Sequence, residues 1–321
     1  MTAAASTVPE AGVPRGPNVL KRFLRSHFVA VVVVVAAILV AWYVGAFFLN
    51  APFQRDLDKT AARTPEFVEF VKETWSQERP VLPAPHQVAE ELYKSVLTLP
   101  PNSKKSLVYH GWITLSSTLV GFIMGTLLGI ALAVAIVHAQ SLDRSLMPWI
   151  VSSQTIPILA IAPMIVVVTY NWLTGQFGVP SDISRFLAKA FISTYLSFFP
   201  VTVGMVKGLR SPDPTHLDLM RTYSASGAQT FWKLRWPAAV PFLFVSMKVA
   251  IAASLVGAVV GELPTGAVAG LGARLLTGSY YGQTVQIWAA LVAASLMAAV
   301  LVAIVGIANR IVLGRMGMKP G

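Results

Sequence analysis

Cysteine is absent from the 321-residue chain, which excludes disulfide frameworks, cysteine-ligated zinc and thiol nucleophiles. Charge is scarce: 12% of residues are Asp, Glu, Lys or Arg, against roughly 25% in ordinary soluble chains. His110, His138 and His216 stand without a carboxylate or second histidine at ligand spacing, so no metal site is expected. What the chain has in abundance is apolar surface: 55% of residues are hydrophobic and the mean hydropathy is +0.64.

The apolar residues fall in blocks of about 20, enough to cross a hydrocarbon core roughly 30 Å thick. Six such spans are expected, at 28–49, 112–137, 147–170, 186–206, 239–260 and 285–307. The fold class is therefore an all-α integral membrane protein. A cleaved signal peptide is the competing reading of the first block, but the run exceeds the usual length of about 7–15 residues and no small-x-small site follows. Gly121, Gly125 and Gly129 recur every four residues, and Gly257 and Gly261 repeat that spacing, which lets helix backbones approach closely in lipid. Pro157 and Pro163 interrupt the third span. Such irregular backbone is tolerated only against protein or a wet cavity.

Asn50 to Ser106 is polar and balanced, with 8 basic and 8 acidic residues. Helical spacing of apolar side chains over 65–76 and 86–97, with a breaker-rich Arg79-Pro80-Val81-Leu82-Pro83-Ala84-Pro85 between, predicts two short amphipathic helices at the surface. Six spans put both termini on one side. With the N-terminus inside, that side carries 13 basic and 4 acidic residues, and the outside 10 of each. The inner excess of 9, plus Lys189 and Lys248 within spans, makes up the whole net charge of +11. Basicity here records topology, and no nucleic-acid partner is needed to explain it.

The inner connection between spans four and five, within 207–238, is far longer than the 2–8 residues or so usual in bundles. Pro214 and Thr215 suit a helix start, 217–224 can be helical, Gly227 can take the positive-φ turn that ends a helix, and 229–235 can form a second helix stopped by Pro237. Phe231, Trp232 and Trp236 beside basic residues make this exposed knob a plausible docking surface.

A glycine followed ten residues later by proline before an apolar span resembles the EAA loop of ABC importer permeases, through Ala225-Ser226-Gly227-Ala228 and Leu234-Arg235-Trp236-Pro237-Ala238-Ala239-Val240-Pro241. Three further stretches are similar to the nitrate, sulfonate, taurine and pyrimidine-precursor branch: Val81 to Pro85, Thr155 to Pro163, and Gly257 to Glu262 with Gly270-Leu271-Gly272. The likeness covers about residues 80–310. One departure is that Arg221-Thr222-Tyr223 stands where the family has Glu-Ala-Ala, so the acidic contact to the ATPase is missing or replaced.

The resemblance implies the type I importer fold. The tail would be 1–27, the first helix 28–49, an outer or interfacial segment 50–106, the permease core 107–310 and an inner tail 311–321. It implies that Arg221, Thr222, Tyr223, Ser224, Ala225, Ser226, Gly227, Ala228 and Pro237 couple to an ABC ATPase dimer. A second permease copy or close paralogue would complete the pathway, and a periplasmic or lipid-anchored binding protein would deliver solute across the bacterial inner membrane. The chain carries no G-x-x-x-x-G-K-[ST] phosphate loop, so no cofactor is expected in it; ATP and Mg would be bound by the partner ATPase. It is expected to be a transport subunit and not an enzyme.

Polar groups within spans are the pathway candidates, because unsatisfied polarity is costly in lipid. These are Ser152, Gln154, Thr155 and Ser254, with Glu262 at the outer end of span five. Each also has a structural reading: backbone bonding for the hydroxyls, anchoring of the Gly-rich loop for Glu262, and snorkelling for Lys248. His110, His138 and His216 read as interfacial, and Trp42, Tyr43, Trp112, Trp149, Trp172, Tyr280 and Tyr281 as aromatic-belt anchors. The rival function is an ion-gradient-driven secondary transporter, which would call for intramembrane Asp or Glu and an inverted repeat. Span interiors hold no acidic residue. The solute stays open between a flat pyrimidine-like heterocycle and a small anion such as sulfonate, taurine or nitrate.

Overall fold

The structure, a computed structural model, describes residues 27–264 and 269–318. The tail charges Arg15, Lys21, Arg22, Arg25 and Lys319, and Thr265 and Gly266, lie outside the described residues. Among those described, six helices are long and apolar enough to cross a membrane, as hydropathy predicts. The chain divides at Pro85–His86 into two compact units.

The first unit holds α1 (His27–Thr60) and α2 (Phe67–Trp75). Valines and leucines from Val31 to Leu49 are exposed on α1, as a lipid-facing helix requires. Beyond them the helix continues about three turns past the end that hydropathy predicts. Beside Ala51, its buried residues there are polar: Asn50, Gln54 and Asp58, spaced by four along one face. Asn50 binds the Val81 and Leu82 amides through Oδ1 and the Leu82 carbonyl through Nδ2. Gln54 donates to Glu73 at 3.0 Å. The returning segment satisfies Asn50 and Gln54 of this face, so helical structure outlasts the apolar run.

The second unit opens with α3 (Pro85–Tyr93), which runs into a π turn at Lys94–Thr98. Both amphipathic helices expected between spans one and two are thus present. Then follow α4 (Leu107–His138), α5 (Gln140–Ser153), α6 (Ile158–Phe177), α7 (Ser181–Leu209), α8 (Pro214–Thr222), α9 (Gly227–Thr230), α10 (Trp236–Glu262), α11 (Leu271–Tyr280) and α12 (Thr284–Arg315). The third span needs correction. A span at 147–170 is broken at 154–157, because Pro157 lacks the N–H that would continue α5 and takes extended dihedrals as the N-cap of α6. The crossing helix is instead Ile158–Phe177, with Pro163 inside its second turn.

Helix α7 is the centre of this unit and packs against both α4 and α10. A Cβ at Gly125 would lie 2.0 Å from Ser197 Oγ, at Gly129 2.8 Å from the Phe198 carbonyl, and at Gly257 2.7 Å from Ser193 Cα. Both small-residue patterns therefore form real seams. Hydroxyls add to the packing: Thr194 and Ser197 donate across the α4–α7 seam to the Gly121 carbonyl at 3.3 and 3.2 Å, and Ser254 of α10 donates to the Thr118 carbonyl of α4 at 2.8 Å. Below the seams, Ile136, Val201, Met205, Leu209, Ile251 and Leu301 form the apolar core.

Gly125→Val is expected to overpack the α4–α7 seam, at a cost of about 1–3 kcal/mol. Gly175→Ala, where a Cβ meets nothing within 4 Å, serves as control. Thermal scans in detergent should show a lowered midpoint for the first and none for the second.

Candidate functional site

The exposed knob between α7 and α10 is built by local rules. Asp213 caps α8: its Oδ1 accepts from the Thr215 amide at 2.8 Å, and Pro214 takes the first helical position. Hydrogen bonds from Thr215 hold the Asp213 carboxyl below its usual range. This cap is present above the ordinary carboxylate pKa and lost as pH falls through the lowered value.

Helix α8 ends in a Schellman turn. The Ala225 amide donates to the Met220 carbonyl at 2.9 Å and the Ser224 amide to Arg221 at 2.8 Å. The left-handed residue is Ser224, at φ 51°. This corrects the expectation for Gly227, which begins α9 instead. Ser226 Oγ accepts from the Gln229 amide at 3.2 Å while Gln229 Oε1 accepts from the Ser226 amide at 2.9 Å, a reciprocal capping box.

Pro237 does not stop the second helix, as its position had suggested. A π turn, Phe231–Arg235, joins α9 to α10 without a break, and the Trp236 amide bonds five residues back to Phe231. Pro237 falls in the first turn after it, where the widened turn makes room for a ring lacking an N–H. The result is one rod, Gly227–Glu262, of 36 residues. Phe231 anchors its base, with ring centroids 5.1 Å from Trp232, 6.0 Å from Trp236 and 5.4 Å from His138 at the end of α4. Arg210, just after α7, pairs with Asp143 of α5 at 2.9 Å.

Of the residues expected to couple, Arg221, Thr222, Tyr223, Ser224, Ser226, Gly227 and Ala228 are exposed, and Ala225 and Pro237 half-buried. Asp218 escaped notice in the sequence. It is exposed one turn before Arg221 and holds that guanidinium at 3.0 Å; the i, i+3 spacing was the available signal.

At the far end of the rod, Glu262 is wholly buried. Its carboxylate accepts from the Gly272 amide at 2.7 Å and from the Thr114 hydroxyl at 2.9 Å, with Lys189 Nζ at 3.8 Å. Thr114 Oγ1 in turn accepts from the Leu271 amide at 2.8 Å. His110 is buried here and is not interfacial. Its Nδ1 accepts from the Gly270 amide at 3.0 Å, which assigns the proton to Nε2, facing the Lys104 carbonyl at 2.9 Å. Gly270, at φ 133°, would set any Cβ 2.2 Å from Glu262 Cδ. This is a latch on the first turn of α11.

The other pathway candidates separate. Ser254 is wholly buried in the α4–α10 seam. Ser152, Gln154 and Thr155 gather at the α5–α6 break, where Thr155 Oγ1 donates to the Ser152 carbonyl at 2.8 Å and the Tyr195 hydroxyl donates to the neighbouring Ser153 carbonyl. An apolar cavity of about 480 Å³ between α7 and α10 is lined by Pro200, Gly204, Lys207, Pro241 and Ser246 among others. None of the sequence-named pathway residues lines it.

Residues 125–318 match the family described as binding-protein-dependent transport system inner membrane component. A probable ABC transporter permease protein of Haemophilus influenzae is 30% identical, over 66% of this chain and 77% of its own length. The formylaminopyrimidine transport permease protein ThiX of Halalkalibacterium halodurans is 30% identical over 60% and 68%. The riboflavin transport system permease protein RibX of Chloroflexus aurantiacus is 29% identical over 72% and 79%. Permeases named for nitrate import and for aliphatic sulfonates transport also match, so the branch read from the motifs holds.

Two outcomes follow from the local geometry. Ser224→Gly should stabilise the end of α8 by about 1 kcal/mol, by relieving a left-handed serine, read as slower proteolysis of the knob. Glu262→Ala should cost about 3–5 kcal/mol by leaving Lys189 buried without its partner. Glu262→Gln, which keeps an acceptor for Gly272, should cost less in the same melting assay.

Proposed function

The chain belongs to the family of binding-protein-dependent transport system inner membrane components, and from that premise we propose that its knob is the surface through which a separate ATPase drives it. The chain is a permease subunit of an ABC importer. In the proposed assembly an ATPase dimer binds ATP and Mg and docks on Arg221 to Ala228 and Pro237. A second permease copy completes the pathway and a binding protein delivers solute on the opposite face. Knob and both termini lie on the cytoplasmic side, in keeping with the inner excess of basic charge.

Gly227 carries this reading. It is exposed, its φ is not positive, and a Cβ there would meet nothing within 4 Å. Nothing in the packing of the described residues calls for glycine at this first helical position. A surface from another molecule, pressed against the backbone, does. Asp218 supplies the acidic contact that Arg221-Thr222-Tyr223 lacks, one helical turn earlier.

The rod gives the coupling a mechanical form. At 1.5 Å per residue its 36 residues span about 54 Å, so a displacement at Gly227 reaches the Glu262 latch through one continuous helix. Closure of the ATPase would then shift the population between inward- and outward-facing states. Ser152, Gln154 and Thr155, at the broken backbone before α6, are the proposed pathway residues. For solute we favour a flat heterocycle, in keeping with relatives named for formylaminopyrimidine and riboflavin transport, with sulfonate or nitrate next.

Gly227→Arg should abolish co-purification of the ATPase and lower uptake at least about tenfold, equivalent to some 1.4 kcal/mol, while the melting temperature is unchanged. Gly227→Ala should keep the fold and weaken coupling less. Full ATPase retention and uptake in Gly227→Arg would refute the assignment.

A further inference from the structure

We propose that the first unit binds a phospholipid with a primary-amine headgroup in the cavity between α1 and α2. That cavity has a volume of about 590 Å³ and is lined by Phe47, Arg55, Asp58, Lys59, Phe67 and Phe70, with Arg63 and the turn Thr64-Pro65. It combines three features that one ligand class satisfies together.

The first is an unmet acceptor. Asp58 is 7% exposed, and its Oδ2 is buried without a hydrogen-bond partner. Oδ1 has only Gln54 Nε2, at 3.4 Å. A buried carboxylate oxygen left in this state is costly. A ligand that brings N–H donors and positive charge removes the cost. A quaternary ammonium has no N–H to give, so a primary amine is selected over choline.

The second is cationic charge lining the same cavity. Arg63 is engaged by Glu69 at 3.1 Å and Glu73 at 2.9 Å. Lys59 reaches Asp56 at 3.5 Å in an exposed pair, which water and salt weaken. Arg55 has no ion pair among the described residues; its guanidinium lies 5.9 Å from the centre of the Phe70 ring. Arg55 and Lys59 are thus available to a phosphate, at the opposite end of the ligand from its amine.

The third is depth. The exposed apolar run of α1 ends at Leu49, and at 1.5 Å per residue Arg55 stands about 9 Å farther along. A headgroup layer about 5–8 Å thick borders the hydrocarbon on each side. Phe47 therefore sits at the hydrocarbon edge and the Arg55 backbone at the outer limit of the headgroup layer, from which its long side chain reaches a phosphate. At the cavity Phe67 is 73% exposed, and Val68 beside it in sequence is exposed too, a surface that acyl chains would cover.

Native mass spectrometry of the full-length protein tests this, with phosphatidylethanolamine, phosphatidylcholine and phosphatidylglycerol of matched chains added in detergent. The ethanolamine lipid should be retained at least about tenfold over the choline lipid, the scale of one charge-assisted hydrogen bond. Asp58→Asn should reduce that preference to parity. Arg55→Gln, an exposed change that spares the fold, should weaken ethanolamine and glycerol lipids alike. Equal retention of ethanolamine and choline lipids by the unaltered chain overturns the proposal, as does a preference that survives in folded Asp58→Asn. Should that variant not fold, the lipid ratio and Arg55→Gln decide. Soluble glycerophosphoethanolamine separates the sources: lipid retained in its millimolar presence supports a membrane occupant, and full displacement overturns it.

Discussion

Two helix backbones meet where Gly121, Gly125 and Gly129 of α4 lie against Ser193, Ser197 and Val201 of α7. In lipid there is no hydrophobic force to bring helices together, so close packing and interhelical hydrogen bonds must hold them. That contact sets the position of α7. Gly257 then brings α10 onto the same helix at Ser193; hydroxyls of Thr194 and Ser197 bond the Gly121 carbonyl across the α4–α7 seam, and Ser254 bonds the Thr118 carbonyl between α10 and α4. The geometry at either end of the bundle depends on this three-helix stack.

The two ends are built on opposite principles. At Glu262, carboxylate, hydroxyl, imidazole and backbone amides are mutually satisfied in a space that admits no side chain at Gly270. At Gly227 the helix is capped only by its own neighbours and faces open space. One end is closed by this chain alone, and the other presents exposed backbone. A single helix joins them, so rigidity gained at the latch is available at the knob.

Much of this was legible in sequence because lipid imposes long unbroken patterns. Apolar blocks located six helices, and glycines every four residues located both seams. Failures came where short-range geometry decides. Gly227 looked like the residue for a left-handed turn, yet Ser224 takes it, since the Schellman bonds fall on Met220 and Arg221 and those depend on where α8 begins. Pro237 looked like a terminator, but a π turn admits it. The third span was misplaced because hydropathy runs through Pro157 while hydrogen bonding does not. His110 and Thr114 carry no local pattern at all: they meet Gly270 and Leu271 about 160 residues away. Asp58 was hidden by a charge-balanced segment in which no carboxylate stands out.

The π turn at Phe231–Arg235 has a geometric corollary. It inserts one residue beyond the α-helical count, and each residue of an α-helix advances about 100° around the axis. A helical wheel drawn continuously from Gly227 to Glu262 therefore assigns residues on one side of the turn to the wrong azimuth. The compass bearing of Trp232 relative to Ser254 must be counted with that extra step.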